Sequence, residues 1–344
     1  MICPRCSQEV RRRERTDRVC EKCGRPFALE PKETVHGLHD VRVRKLSAKL
    51  RTEDDLAFTY TQFIYAAARN RLSSLNSEWT SSVVGWAAGI VVVCYFLVLV
   101  SLPITILTSL STLWTILALI GCGVTLIVVS VIAHLVRKPI MLQKIRISLD
   151  VAPADLAEGV ETRWRSVYGE PIPGAVNDDV APLPYIDHPQ VAVVCPSRSV
   201  LVCLAANGFA DRFAMALVHH PDDVPPDVPV LVLHDASPAG TALVEYARAR
   251  LGPRVRDVGL AARMVMDSPK ALVLHEPALS ATEAAALPQG LPAREREWLA
   301  YGWWSPIAAI PPRKLLSAVE RALPSHRAEQ PAGHDIGFLT WPVA

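Results

Sequence analysis

Two long apolar stretches dominate the hydropathy pattern. Residues 83–102 contain no charged side chain, and residues 113–136 are interrupted only by small or hydroxyl residues and His134. Each stretch is long enough for a ~30 Å hydrocarbon core, which takes about 20 helical residues. Pro103 ends the first, and the link over 104–112 has no Lys or Arg. Arg69 and Arg71 precede the pair, while Arg137, Lys138, Lys144 and Arg146 follow it. Trp79, Trp86 and Trp114 fall near the ends, where aromatic side chains favour an interface. The pattern predicts a two-helix transmembrane hairpin in the lipid bilayer, with both flanks cytoplasmic. A multi-pass protein of a bacterial inner membrane is therefore expected. Gly85, Gly89, Gly121 and Gly123 favour close helix packing, so the hairpin is also the expected route to a homo-oligomer or a protein partner.

The flanking segments are periodic in other ways. Over 40–79, Leu46, Leu50, Leu56, Phe63, Ile64, Ala67 and Leu72 recur at helical spacing. Residues 52–55 offer a capping signal that splits this stretch. Beyond the hairpin, 141–149 reads as a strand. Residues 154–168 read as a helix with Leu156, Val160, Trp164 and Val167 on one side, and 169–189 as a proline-rich link. From 191 the chain alternates like an α/β fold. Short apolar runs cover 191–195 and 200–204, 209–218 is helix-like, and 228–233 is a buried strand. A helix over 241–251 ends at Gly252-Pro253, strands are expected at 255–260 and 271–274, and a last helix at 314–323. The expected domains are 1–35 (a small cysteine module), 36–80 (cytoplasmic amphipathic helices) and 81–138 (the hairpin). Residues 139–190 give a strand, helix and linker, and 191–344 a cytoplasmic α/β domain.

Composition adds chemistry at the N-terminus. The 344 residues carry eight cysteines, and four of them form two tight pairs, Cys3-Pro-Arg-Cys6 and Cys20-Glu-Lys-Cys23. Two such turns bring four thiolates onto one tetrahedral Zn²⁺, and a sulfur-only shell is closed to catalysis. A redox CxxC is the rival reading, but it belongs at a helix start in a thioredoxin-like unit. The segment resembles the zinc-ribbon family over roughly its first thirty residues. That resemblance implies a small β structure used for contact with protein or nucleic acid. His36 and His39 read as surface residues, because the cysteines fill the shell. Arg11, Arg12 and Arg13 lie between the pairs, with Glu14 and Asp17 diluting them. A basic loop touching phosphates competes with a solvated loop, and the dilution favours the latter. The formal net charge of +2 by itself does not imply nucleic acid.

The C-terminal half has one motif, 230–241, which reads Val-Leu-Val-Leu-His-Asp-Ala-Ser-Pro-Ala-Gly-Thr. An apolar strand runs into Asp235, then a loop, then a helix starting near Gly240. Ligands of open α/β sheets bind at such strand ends, and a helix start offers N–H groups to an anion. Asp235, Ser237, Gly240, Thr241 and Asn207 are the candidate ligand-binding residues, with Asp235 the candidate catalytic one.

The motif resembles Toprim domains of primases, topoisomerases and nucleases. Asp235 and Gly240 fit, Ser237 replaces the second Asp, and the 200–209 segment stands where that family has a strand ending in a catalytic Glu. Asn207 is the nearest polar side chain there. The resemblance implies a Mg²⁺ site, but with one Asp left Mg²⁺ binding should be poor. The motif is also similar to phosphoribosyltransferases, with His234-Asp235 for the acidic pair and 239–242 for the phosphate loop. Opposite both stands a plain Rossmann-like strand, loop and helix in which Asp235 caps the turn. His219-His220 reads as a polar loop, and His275-Glu276 lacks zinc-protease spacing. The expected function is binding, as scaffold or sensor, with a structural zinc ribbon and an inactive Toprim-like domain. The alternative is a metal-dependent phosphodiester or phosphoribosyl enzyme using Asp235.

Overall fold

The computed structural model describes residues 1–69, 146–149, 156–268 and 270–323, with scattered helical positions between 85 and 133. It divides into two compact units. The first takes in Met1–Arg71, Ser148–Leu274 and Leu279–Ala344, and the second Leu72–Ile147 with His275–Ala278.

Among the described residues no helix is long and apolar enough to cross a membrane. The longest, Pro238–Leu251, has 14 residues, where a span needs about 20. The membrane-protein fold class and the inner-membrane localisation expected from hydropathy are corrected accordingly. What the structure describes is an α/β fold on a parallel sheet. The expected spans 83–102 and 113–136 lie outside the described residues, apart from those scattered positions. In the second unit Ile147 forms an isolated antiparallel bridge with His275, and Arg146 pairs with Glu276 at 3.2 Å. Residues 141–145 of the strand expected over 141–149 are not among those described.

Within the first unit, the chain after the cysteines forms α1 (Asp40–Arg51), β1 (Phe58–Thr59) and α2 (Tyr60–Ala68). The helix break falls at 52–55, where Thr52 has φ +57°, which L side chains rarely adopt. Thr59 restarts the helix with a capping box, its hydroxyl accepting from Gln62 N–H. A π turn at Ala157–Glu161 and helix α3 (Thr162–Tyr168) follow, then β2 (Ala175–Val176), parallel to β1. Leu38, Val43, Leu50, Phe58, Phe63, Leu156, Val160 and Trp164 share one core. Buried Asp40 accepts from Ala28 and Leu29 N–H and from the Tyr168 hydroxyl, tying the post-cysteine chain to that core.

The main sheet has four parallel strands: β3 (Val191–Val194), β4 (Met215–Val218), β5 (Val230–Val232) and β6 (Val255–Asp257), in the order β4-β3-β5-β6. Helices α4 (Arg198–Ala206) and α5 (Phe209–Arg212) link β3 to β4, and α6 (Pro238–Leu251) links β5 to β6. Then come α7 (Ala262–Met266), α8 (Ala281–Ala285), α9 (Ala293–Ala300) and α10 (Pro312–Ala322). The period-2 alternation assigns the faces. Val191, Val193, Met215 and Leu231 point to the side of α4, α5 and α10, while Ala192, Val194, Val230 and Val232 point to α6 through Val244 and Ala247. Being buried on both faces explains why β3 and β5 read as unbroken apolar runs.

Two expectations change here. The run 200–204 is helix, with Ser199 to Leu204 all buried. A short apolar run cannot by itself distinguish a covered strand from a covered helix. The helix-like 209–218 is instead α5 and β4, divided at Ala214, whose φ is +44°.

Candidate metal centre and strand-end crevice

Each CxxC pair lies on its own hairpin turn. In the first, Ile2 bridges Glu9, Cys3 N–H donates to Gln8 O, and Ser7 N–H donates to Cys3 O. In the second, Val19 bridges Pro26, Cys20 N–H donates to Arg25 O, and Gly24 N–H donates to Cys20 O. The repeat extends to the backbone. Ser7 and Gly24 both follow a second cysteine, and both are left-handed, at φ +57° and +65°. The four sulfurs lie within 4.8 Å of one another, with Cys3–Cys23 at 3.9 Å and Cys6–Cys20 at 4.0 Å. Tetrahedral zinc, with Zn–S near 2.3 Å, sets sulfurs about 3.8 Å apart. The cluster thus fits a metal such as zinc. Burial opposes the Cys3 thiolate, but the Cys6 and Arg5 N–H groups outweigh it and bring its pKa to about 7.

Cys3, Val10 and Cys20 form the buried cluster between the two turns, with Cys6 and Cys23 packed against it, so a shared metal would supply much of what holds the turns together. Ser7 carries the conformation that Gly24 adopts without penalty. Ser7→Gly is expected to raise the stability of the metal-loaded module by about 0.5–1 kcal/mol, read from chelator-challenge melts. Between the pairs, the Arg15 and Arg18 side chains pair with Glu30 at 2.8 Å and Glu33 at 2.9 Å, while Arg11 lends its main-chain N–H to Glu14. His36 and His39 are not in the sulfur group, in keeping with the sulfur-only shell.

The second candidate lies at the carboxyl end of the main sheet. After β5, Leu233 leads into His234, which is 5 % exposed. Its Nδ1 is 2.7 Å from the Asp235 carbonyl oxygen, and its Nε2 is 3.0 Å from Asp257 Oδ1 at the end of β6. Both partners are acceptors, a pair that favours the doubly protonated ring. Burial opposes that charge. The hydrogen bond and charge of Asp257 outweigh it and hold His234 above its ordinary 6.5. Asp257 is partly desolvated, although its side chain is 39 % exposed, and the hydrogen bond and charge of His234 hold it below the usual carboxylate range.

The slot that holds the imidazole is made by two glycines. A Cβ on Gly259 would sit 2.0 Å from His234 Cδ2, and one on Gly240 would sit 2.2 Å from Asp235 O and 2.8 Å from His234 Nδ1. Because the folded pKa of His234 is raised, its contribution is complete below 6.5 and is lost as pH climbs through the folded value. Asp257 acts oppositely, its contribution fading as pH falls through its depressed value. Urea melts should therefore show stability declining above pH 6.5, with a smaller slope in His234→Gln.

Around this pair the expected residues take up structural bonds. Asp235 Oδ1 accepts from Ile307 N–H at 2.8 Å, and burial raises its carboxyl above the usual range despite that bond and the His234 charge. Ser237 is the N-cap of α6, its hydroxyl accepting from Gly240 N–H at 3.0 Å. Thr241 donates its hydroxyl to Pro238 O. Asn207 is elsewhere. It ends α4, which runs back from the carboxyl end of β3 toward the amino-terminal end of the strands. There its amide accepts from Ala57 N–H and donates to Ala57 O.

Compared with protein-family models, with curated proteins and with solved structures, the chain finds no match in any of the three. Fold and site therefore rest on their own geometry.

Two cavities flank His234. One, about 100 Å³, is lined by Cys195, Ser197, Asp235, Ser237, Ala239 and others at the ends of β3 and β5. The other, about 190 Å³, is lined among others by Thr241, Arg248, Asp257 and Arg263. Among the described residues, the four cysteines are the group of three or more metal-ligating side chains close enough to share an ion. Nothing in the sequence marks His234 and Asp257 as partners. Twenty-three positions separate the partners, and only strand adjacency joins them. His220 Nδ1 lies 3.0 Å from a carboxylate oxygen of Asp222 on an exposed loop.

Proposed function

We propose that this chain acts by binding, as a scaffold or sensor, in which a zinc-ribbon module is joined to a non-catalytic α/β domain. The reading is supported by how the polar residues of the strand-end motif are used. Asp235 holds a backbone N–H, Ser237 caps a helix, Thr241 binds its own turn, and Asn207 clasps Ala57 toward the amino-terminal end of the strands. A phosphodiester or phosphoribosyl enzyme needs several of these free and convergent, with at least two acids on a divalent metal. Ser237 does not stand in for a second acid, because its hydroxyl is an N-cap. A helix also occupies 200–204, where a Toprim-like domain would have a strand bearing an acid. Zinc on Cys3, Cys6, Cys20 and Cys23 is structural in this account, because the thiolates fill its shell.

The test is turnover by the full chain. Supercoiled DNA, single-stranded DNA and a nitrophenyl phosphodiester are incubated with Mg²⁺ or Mn²⁺, with Asp235→Asn in parallel. No cleavage above background is expected from either protein. Metal-dependent cleavage that disappears in Asp235→Asn would sink the binding reading.

A further inference from the structure

Building on the binding reading, we propose that the cleft beyond β5 and β6 binds a small aliphatic acid with a hydroxyl or ammonium group beside its carboxylate. Arg248 takes the carboxylate, and Asp257 accepts from the neighbouring O–H or N–H.

The cleft has two walls. One is the end of the sheet with α6, where Thr241, Val244, Glu245 and Arg248 recur at helical spacing and line the cavity together. The other is formed by α7, residues 288–291 and α9, which carry an apolar cluster of their own at Ala262, Leu287 and Leu299. Val244, Leu260 and Leu291 give the cavity an apolar part that suits an aliphatic chain. Its volume of about 190 Å³ lies below the ~300 Å³ at which pockets for drug-sized ligands begin, so the occupant has only a few carbons.

The polar side chains of the cleft are held in place with groups to spare. Asp257 Oδ1 lies 3.0 Å from His234 Nε2 and accepts from Gly259 N–H at 2.9 Å, which fixes the carboxylate. Its Oδ2 has no hydrogen-bond partner among the described residues, and the side chain is 39 % exposed. Such an oxygen accepts from an ammonium or a hydroxyl. Arg248 makes one side-chain bond, from Nη1 to Glu245 at 3.2 Å, and the rest of its guanidinium is unused among the described residues. A carboxylate fits a guanidinium with two parallel bonds. On the facing wall Arg263 is pinned by its N–H and Nη1 to buried Glu295.

Charge selects the class of ligand. Across the cleft Arg248 pairs with Glu245, Arg263 with Glu295 and His234 with Asp257. A ligand with a carboxylate alone would leave Asp257 Oδ2 unmatched, and one with an ammonium alone would leave the Arg248 guanidinium unmatched. A molecule with both kinds of group satisfies the two together, at no cost in unpaired polar groups.

The experiment is isothermal titration calorimetry of the full chain with L-valine, α-hydroxyisovalerate, isovalerate and isobutylamine, probes built on one branched chain. Saturable binding of valine or of the hydroxy acid is expected, and the tighter of the two identifies ammonium or hydroxyl as the donor. Isovalerate and isobutylamine each lack one group and should bind about tenfold more weakly. Arg248→Ala removes a half-exposed guanidinium from α6 and should weaken the tighter probe about tenfold. Asp257→Asn keeps an acceptor for His234 but sets an amide N–H₂ in place of Oδ2, which should also weaken binding about tenfold. If that variant fails to fold, Arg248→Ala decides. The proposal is overturned by no saturation with valine or the hydroxy acid, by equal binding of isovalerate or isobutylamine, or by parent-like affinity in Arg248→Ala. Any of these leaves the binding reading standing unless metal-dependent turnover is also found, so the two fail separately.

Discussion

Cys20→Ser is expected to cost the N-terminal module its fold. The buried cluster between its two turns is two cysteines and Val10, and Cys20 is 1 % exposed. Structural zinc in small peptides of this kind supplies about 10–16 kcal/mol of apparent binding energy near neutral pH, and that energy is folding energy. Without the fourth sulfur, or after a strong chelator, the hydrogen bonds Cys3 N–H to Gln8 and Cys20 N–H to Arg25 lose the constraint that aligns them. Limited proteolysis should then cut within the first thirty residues while leaving the sheet region protected. Equal protection of the module with and without metal would contradict the expectation. The Arg15–Glu30 pair at 2.8 Å is not expected to rescue it, because one ion pair is small beside the metal.

Gly259→Ala should destabilise the α/β fold by about 3 kcal/mol, and Gly240→Ala by at least as much. The added methyl at 259 collides with the imidazole of His234, which is pinned at both nitrogens and cannot swing away without breaking the Asp257 pair. At 240 the collision is with the Asp235 carbonyl, main chain whose movement would shift the end of β5. Chemical-denaturation midpoints would show the loss. His234→Ala combined with Gly259→Ala should cost less than the sum of the single changes, since the first removes the group the second strikes. Strict additivity would mean the ring is not what makes 259 a glycine position.

Much of the α/β fold was legible because its signals are local. The runs at 191–195 and 228–233 are strands buried on both faces, and Gly252 ends α6 as expected. The split at 52–55 was legible from its polar residues, as was the cysteine cluster from its spacing. What failed was non-local or ambiguous in period. The apolar run 200–204 is helix because the sheet on one side and Thr59, through its hydrogen bond to Ser199, on the other cover it, which no window of sequence reveals. The hydropathy of 83–102 and 113–136 pointed to a membrane hairpin, yet among the described residues no helix meets the length and polarity a span requires. Motif order groups Asn207 with Asp235, whereas α4 carries it toward the amino-terminal end of the strands, onto Ala57. The pairing of His234 with Asp257 has no signature in the sequence, because a parallel crossover, not proximity in sequence, brings them together.

If the cysteines hold the structural metal, divalent metal should bind there and not at the strand-end motif. Metal analysis of the full chain after dialysis against both Zn²⁺ and Mn²⁺ decides between the two sites. One zinc per chain is predicted, lost in Cys20→Ser and unchanged in Asp235→Asn, with no bound manganese. A second metal ion that disappears with Asp235→Asn would contradict it.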